Sequence, residues 1–170
     1  MSSNFVAGID VKRRNAKVGL RSRERRNLVA TVAERAEAVS HCWALVAGYH
    51  RDIDSGHATA GIVAFHDDAE FEAHGRTFRG RVEILGFLQA RESDIARQTV
   101  HVLANKVVTD QDGDGQDNEV GLRAMALVHV RRPDGTYRLE RVLDTVHQFR
   151  YCDGRWRITR RTSSPLHPAA

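Results

Sequence analysis

Residues 80–108, GRVEILGFLQARESDIARQTVHVLANKVV, contain the change of pattern that decides the fold. The first half favours a helix that opens at Gly80. After Ser93 the apolar residues recur with a period of two, so Thr99–Val108 is predicted to be a long strand. The stretch therefore joins a helical first part of the chain to a strand-forming second part. The residues expected on the buried side of the helix are Val82, Ile84, Leu85, Phe87 and Leu88.

The residues before this stretch predict more helix. Apolar side chains recur at steps of three and four from Val32 to Ile53, and Gly56 is well placed to end this long helix. A second, shorter helix is expected from His57 to Phe65. A short strand over 69–73, with its return over 77–79, then leads into the third helix.

The residues after this stretch predict three more strands, Val120–Val130, Tyr137–Tyr151 and Trp156–Arg161. The segments between them contain Asp–Gly pairs, which are typical of hairpin turns. Helices followed by an antiparallel meander indicate an α+β fold with the helices on one face of the sheet. Because long strands usually curl, the sheet is expected to enclose a concave pocket.

The positive charge of the chain is concentrated at its start. The 170 residues carry a net charge of +4, but residues 1–27 hold eight basic and two acidic side chains, so the remainder is net negative by two. We therefore expect a basic, flexible extension over 1–27, one domain over 28–163 and a tail over 164–170. A basic arm can touch nucleic acid or anionic lipid, but no aromatic residue follows Phe5 in it, so nucleic acid is not an expected partner.

Composition and motifs exclude several classes of protein. The chain has no run of about 18 apolar residues, as a membrane span requires, and its first residues lack the apolar core of a secretory signal. It has no GxSxG, HExxH, CxxC or glycine-rich phosphate loop, so hydride transfer, nucleotide hydrolysis and zinc proteolysis have no support. Cys42 and Cys152 are expected to be reduced thiols in a cytoplasmic protein. No cofactor is expected.

An acidic stretch that begins at Asp110, DQDGDGQDNE, suggests a calcium loop at first sight. A twelve-residue calcium loop needs a bidentate acid at its last position, which here is Gly121, and it needs a helix on each side. The stretch is therefore interpreted as a hairpin turn, and no metal site is expected.

Three polar residues form the candidate catalytic group. Asp54 ends the long helix, where the helix dipole and partial burial are expected to raise the pKa of its carboxyl group and make it a general base. By alternation, His101 shares a strand face with Leu103 and Asn105, and could share a proton with Asp54. Tyr49 could donate its hydroxyl to a substrate oxygen. The alternative is structural: Asp54 caps the next helix, His101 is a hydrogen-bonded core histidine and Tyr49 packs.

Four segments in this order resemble one known family. They begin at residues 49, 78, 101 and 153 and read YHRDIDSGHATAGIVAFHDDAEFEAHG, FRGRVEIL, HVLAN and DGRWRITRR. Over about residues 30–162 the chain resembles the SnoaL-like group of the nuclear-transport-factor-like superfamily. The resemblance implies a cone-shaped α+β domain with three N-terminal helices packed in a strongly curved, mostly antiparallel sheet. It also implies a homodimer or a homotrimer.

The polar residues are most similar to those of the scytalone-dehydratase and bile-acid-dehydratase branch. That branch uses a tyrosine and an aspartate from the end of the first helix and a histidine from a central strand, and the matching residues are Tyr49, Asp54 and His101. Asn105 matches an asparagine that often follows that histidine. Arg161 matches the arginine that closes the WRIxxR motif, although Arg160 is equally possible if the strand contains a bulge.

The remaining candidates for the substrate-binding set are His147 and Trp43. The second histidine of the scytalone-type site has no clear counterpart, and His129 and His147 are the two choices that stay open. The aspartate pair of ketosteroid isomerases is absent, which argues against that activity.

Three functions follow from these expectations. The first is a cofactor-independent, dehydratase-like lyase or isomerase that acts on a small, largely apolar, oxygenated molecule. The second is a non-catalytic domain of the same fold that binds a small molecule or assembles subunits. The third gives the function to the basic arm and leaves the body as an oligomerisation scaffold.

Overall fold

The computed structural model describes residues 11–109 and 118–167, and it describes the side chains from residue 31 onward within these ranges. The chain divides into two compact units, residues 1–37 and 38–170. The sheet, the later helices and the last turns of the first helix belong to the second unit. The hairpin turn predicted in the acidic stretch that begins at Asp110 lies, over residues 110–117, outside the described residues.

The described residues form three helices and six strands. The first helix, α1, is Val11–Asp54, a short 3₁₀ helix is Ala58–Ala64, and α2 is Gly80–Ser93. The strands are β1 Phe65–Ala73, β2 Arg76–Arg79, β3 Thr99–Val108, β4 Glu119–Arg131, β5 Tyr137–Cys152 and β6 Arg155–Pro165.

The helices differ from the sequence prediction in three respects. The helix α1 begins at Val11, well before the apolar pattern that starts at Val32, because residues 11–27 are rich in lysine and arginine, which favour helix without an apolar pattern. The resemblance implies three N-terminal helices, but the third helix, α2, follows β1 and β2, in the order that the sequence pattern predicts. Val82, expected on the buried side of α2, is 86% exposed.

The predicted strands and the α+β class are confirmed. The six strands form one curved, open, mixed sheet in the order β2-β1-β6-β5-β4-β3, in which β1 and β6 are parallel and the other neighbours are antiparallel. The last turns of α1 bury Cys42, Val46 and Tyr49 in the same core as Ile84 and Leu88 of α2. Ile53, next to the end of α1, belongs to this apolar core, and Leu103 of β3 packs against it, so the end of α1 lies beside β3 at the site.

Bulges interrupt the ladders of the sheet. The register shifts between Ala104 and Val107 on β3, beside His129 on β4, and beside Phe149 on β5. A bulge adds one residue to one strand, which bends the strand and moves the residues beyond it to the opposite face. These shifts decide which polar side chains reach the inner face of the sheet.

Among the described residues, no helix combines the length and the apolar character that are needed to cross a membrane. Cys42 and Cys152 are free thiols, and Cys42 is buried.

Candidate active site

A cavity of about 470 Å³ lies between the end of α1, α2 and the inner face of the sheet. Its apolar walls include Ile53, Phe71, Phe87, Val128 and Leu143. The polar side chains that line it include Tyr49, His50, Thr99, His101 and Arg161. A mainly apolar space with a few convergent polar groups is the usual form of a small-molecule site.

Asp54 and His101 are hydrogen-bonded to each other beside this cavity. Asp54 is the last residue of α1, and His101 is the third residue of β3. The Nδ1 atom of His101 lies 2.6 Å from Oδ1 of Asp54, and the backbone N–H of His101 donates to Oδ2 at 2.7 Å. The hydroxyl of Thr99 also donates to Oδ1, at 2.9 Å. The structure therefore brings together two of the three predicted catalytic residues.

The electrostatics of Asp54 correct the sequence prediction. Burial alone would raise the pKa of this carboxyl group, but the hydrogen bonds from His101 and Thr99 outweigh burial and lower the pKa below its usual value. Asp54 is thus a carboxylate at neutral pH, which only accepts hydrogen bonds. In a neutral His101 ring the proton therefore sits on Nδ1, and Nε2 is the free base. Asp54 orients the histidine, and His101 is the group that can take a proton.

Tyr49 lies on the cavity wall and is only 3% exposed. Its ring packs edge-on against His50 and Phe65, with centroid distances of 4.8 and 5.3 Å. Burial raises the pKa of the phenol, although the positive charges of Arg161 and Arg91 oppose the shift. Tyr49 therefore keeps its proton at neutral pH and is a hydrogen-bond donor.

Of the four predicted substrate-binding residues, only Arg161 lines the cavity. Asn105 is exposed, with a φ of 53°, in the bulge of β3, which ends the alternation that would have placed it beside His101. Trp43 is partly buried in the core, and the Nζ atom of Lys106 lies 5.3 Å from its ring centroid. His147 is fully buried and does not line the cavity.

The bulge at Thr159 on β6 settles the choice between Arg160 and Arg161. Gln148 pairs with Arg160 and Phe149 pairs with Ile158, so Thr159 is the inserted residue. Strict alternation from the buried Ile158 would turn Arg160 inward, but the inserted residue turns Arg161 inward and leaves Arg160 exposed.

Neither candidate for a second histidine lines the cavity. His147 is the cross-strand neighbour of Arg161, and burial, aided by the charge of Arg161, lowers its pKa to about 3. Neither ring nitrogen of His147 has a hydrogen-bond partner among the described residues, nor does Nδ1 of His129.

The second histidine in the cavity is His50, which sequence reasoning placed only in the helical stripe. Its Nδ1–H donates to the backbone oxygen of Val46 at 2.8 Å, and its ring centroid lies 4.9 Å from that of His101. Burial, Arg161 and His101 hold the pKa of His50 well below its usual value, so the ring is neutral. Its position one residue after Tyr49, on the same buried stripe, was the available signal.

Sequence reasoning also missed Thr99 and three arginines, Arg91, Arg97 and Arg141, all of which line the cavity. Thr99 could have been found, because it lies two residues before His101 and so shares its strand face. No pattern in the sequence placed the three arginines at the cavity. Within the part of the chain that the structure describes, no three His, Cys, Asp or Glu side chains are grouped to hold a metal ion.

Comparison with known proteins agrees with this architecture. The SnoaL-like domain family matches residues 34–162. No curated protein matches the sequence. An NTF2-like protein with a cystatin-like fold from Novosphingobium aromaticivorans is 25% identical, with a TM-score of 0.70 over 84% of this chain and 90% of that one.

Two other solved structures share the fold at lower identity. A protein from Catenulispora acidiphila, in complex with S-DNPA, is 20% identical, with a TM-score of 0.63 over 75% of this chain and 92% of that one. ActVI-ORFA from Streptomyces coelicolor is 16% identical, with a TM-score of 0.64 over 76% of this chain and 98% of that one.

Proposed function

The chain belongs to the SnoaL-like domain family, and from this premise we propose that its cavity is the active site of a cofactor-independent lyase or isomerase of the dehydratase type. The observation that carries the proposal is the His101–Asp54 pair beside a cavity of about 470 Å³. A histidine whose tautomer is fixed by an ionised carboxylate is a typical general base. The complex of the Catenulispora acidiphila relative with S-DNPA supports a small-molecule ligand.

The proposed reaction begins when Nε2 of His101 takes a proton from the carbon next to a carbonyl group. The electron pair left on that carbon forms a double bond as the hydroxyl group on the neighbouring carbon departs. The imidazolium returns its proton to that hydroxyl, which leaves as water. In an isomerase the same proton returns to a different carbon of the substrate.

Tyr49 and Asp54 assist this proton transfer from fixed positions. The Tyr49 phenol donates a hydrogen bond to the carbonyl oxygen, on which negative charge develops in the transition state. The Asp54 carboxylate stabilises the imidazolium by the bond to Nδ1. The walls around Phe71 and Phe87 exclude water, which strengthens both interactions.

The test is the effect of removing each member of the pair on the dehydration of cyclic β-hydroxy ketones, followed by the absorbance of the conjugated product. We expect the His101→Ala and Asp54→Asn variants each to lose about 10²- to 10⁴-fold in kcat/KM. Activity that survives in both variants would overturn the proposal.

A matched control lies on the surface of the same chain. His66 and Asp68 form a similar pair, with Nδ1 hydrogen-bonded to the carboxylate, outside the cavity. The His66→Ala and Asp68→Asn variants should keep the activity of the original protein.

The alternative is a non-catalytic domain that binds a small molecule or assembles subunits. The outer side of β3 favours an assembly surface, because Val100, Val102 and Val107 are 38%, 46% and 56% exposed. We propose a homodimer or a homotrimer through this face, which sedimentation of a Val102→Lys variant would test. If the unaltered protein binds a ligand stably but does not convert it, the non-catalytic function is favoured.

A further inference from the structure

The cavity has an unusual balance of charge. Four arginines, Arg91, Arg97, Arg141 and Arg161, contribute to its wall, whereas no aspartate or glutamate among the described residues lines it. The nearby carboxylates therefore decide whether the four guanidinium groups are neutralised within the protein.

Two of the arginines share one carboxylate. Arg97 forms a two-pronged ion pair with Glu140, in which Nη1 lies 3.3 Å from Oε1 and Nη2 contacts Oε2. The Nε atom of Arg141 lies 3.7 Å from the same Oε2, and its Nη1 donates to Nδ1 of His74 at 2.7 Å. A single negative charge thus serves two guanidinium groups.

Arg91 has only neutral acceptors. Its Nη2 donates to the backbone oxygen of Arg97 at 2.6 Å and to the hydroxyl of Thr99 at 3.0 Å. Its Nη1 lies 3.4 Å from the backbone oxygen of Asp94. Within the described ranges, no carboxylate lies within ion-pair distance of this side chain.

Arg161 is the most deeply buried of the four, at 6% exposure. Its Nη1 donates to the backbone oxygen of Glu72 at 2.9 Å and lies 3.4 Å from the hydroxyl of Ser163, while its Nε is buried without a partner among the described residues. Its guanidinium lies 4.8 Å from the ring centroid of Phe71 and 5.9 Å from that of Tyr49. The carboxylate of Glu72 attracts it only from beyond ion-pair distance.

A buried arginine stays charged, because its guanidinium group does not lose its proton in proteins. Burying a cation without a counter-ion is strongly unfavourable, because the water that stabilised the charge has been removed. One backbone carbonyl, one hydroxyl and two aromatic faces offset only part of that cost around Arg161. Since Asp54 is committed to His101 and Thr99, the wall of the cavity keeps an excess of positive charge.

We infer that the ligand of this cavity carries an anionic oxygen group, a carboxylate or a phosphate ester, that pairs with Arg161. The inference rests on the proposed function, in that it names the substrate class of the same cavity. It also changes the expected substrate from a largely apolar molecule to one with an apolar body and a charged end. Phe71 and Phe87, whose ring centroids lie 5.0 Å apart, would hold the apolar body.

The ring contacts separate the charged end from the reacting end. Arg161 contacts the Tyr49 ring, Tyr49 contacts His50, and His50 contacts His101, at 5.9, 4.8 and 4.9 Å. The anion at Arg161 and the carbon that faces His101 therefore belong to different parts of the ligand, with the carbonyl oxygen near Tyr49 between them.

The test compares three probes of the same shape that differ in charge: 2-naphthoate, 2-naphthyl phosphate and the neutral 2-naphthamide. Their dissociation constants are measured by titration calorimetry on the full chain carrying His101→Ala, so that turnover plays no part. We expect at least one anion to bind about 10- to 100-fold more tightly than the amide, as a hydrogen bond to a charged group allows. The tighter anion identifies the carboxylate or the phosphate ester as the natural group.

Variants at two adjacent positions test whether the preference for the anion depends on Arg161. Arg161→Met, made in the same His101→Ala background, should abolish the preference for the anion, and Arg161→Lys should keep part of it. Arg160→Met is the matched control, because Arg160 is the exposed neighbour on the same strand, and it should keep the full preference. Circular dichroism checks that each variant is folded. If Arg161→Met does not fold, the comparison of the three probes on the protein that carries only His101→Ala still tests the inference.

Equal binding of the amide and both anions, a preference that persists in folded Arg161→Met, or no binding of any probe at millimolar concentration would overturn the inference. The binding test uses a protein that lacks the proposed general base, so its result does not depend on catalysis. If the anions bind preferentially but the original protein shows no lyase activity, the inference stands and only the proposed function is contradicted.

Discussion

At the scale of single residues, the hydrogen bonds to Asp54 decide which member of the pair moves a proton. Three donors, from the side chain and backbone of His101 and from Thr99, keep this carboxyl group ionised. Without them, burial at the end of α1 would raise its pKa and make Asp54 compete with His101 for the same proton. Thr99 acts on the reaction through Asp54 and is a positioning residue.

Replacing Thr99 by valine should therefore raise the pKa of Asp54 and lower kcat/KM by up to about tenfold, with a smaller change in KM. The pKa is measured by carbon NMR of the labelled carboxyl group, and the kinetics give the second readout. Thr59→Val is the matched control, since the Thr59 hydroxyl donates to the Glu92 carboxylate at 2.7 Å outside the cavity. An unchanged pKa of Asp54 in Thr99→Val would contradict the role given to Thr99.

The sequence predicted the pairing of Asp54 and His101 but not its electrostatics. Spacing alone places an aspartate at the end of a helix and a histidine near the start of a strand. The sign of the pKa shift depends on donors from β3, which come from a segment distant in the chain. The excess of arginine was equally hidden, because Arg91 and Arg141 reach the cavity from separate elements.

At the scale of elements, the close contact of β3 with β4 depends on a glycine. A Cβ atom at Gly121 would lie 2.2 Å from the backbone oxygen of Thr109, whose N–H donates to the backbone oxygen of Gly121 at 2.9 Å. The nearest atom is a backbone atom, and the Thr109 hydroxyl lies close as well, at 2.5 Å, so the clash cannot be relieved by moving the end of a long side chain.

Gly121→Ala should accordingly lower the free energy of unfolding by about 1–3 kcal/mol, the usual cost of overpacking. Urea denaturation measures the change. Gly86→Ala on α2 is the control with the opposite sign, since nothing lies within 4 Å of its Cβ position and alanine favours helix over glycine by about 1 kcal/mol. Equal stability of Gly121→Ala and the unaltered protein would show that the two strands can separate there without cost.

The bounds of the long strands were largely predictable, but the start of α1 and the positions of the bulges were not. Alternation over Thr99–Val108 gave the bounds of β3 because a half-buried strand needs that pattern. A bulge inserts one residue without altering local composition, so nothing in the sequence marked Asn105 or Thr159 as the point where the pattern shifts. The misplacement of Asn105 and the open choice between Arg160 and Arg161 have this one cause.

At the scale of the whole molecule, buried histidines couple the stability of the fold to pH. His147 has a pKa of about 3 in the folded protein, against an ordinary value of 6.5, because burial and Arg161 disfavour its charged form. The unfolded chain therefore binds a proton that the folded chain rejects between these two values. Stability from this group is complete above pH 6.5 and is lost as the pH falls from 6.5 towards 3.

We expect the free energy of unfolding to decrease below pH 6.5, with His147 alone contributing about 1.4 kcal/mol per pH unit once the unfolded histidine is protonated. Urea denaturation from pH 7 to pH 4.5 measures this slope. His147→Leu should reduce this slope by the part that His147 contributes, leaving the part from His50, and His41→Gln, at an exposed position, should leave it unchanged. A slope unaffected by His147→Leu would assign the acid sensitivity to other groups.

The family and the α+β class were accessible from the sequence because four separated segments had to occur in one order. The order of helices and strands was accessible too, because the pattern placed short strands at 69–73 and 77–79 before the third helix. The pattern did not show where β1 and β2 lie in the sheet. Their place in the sheet depends on β6, which is distant in the chain.

The parallel pairing of β1 with β6 also has a consequence for biosynthesis. β1 emerges from the ribosome long before β6, yet β6 is the strand that joins β1 and β2 to the rest of the sheet. A nascent chain that ends before residue 155 carries the β1–β2 hairpin with one edge unpaired, and it lacks Arg161. The sheet and the cavity are thus completed only once β6 has been translated, so this domain cannot bind its ligand before residues 155–165 have left the ribosome.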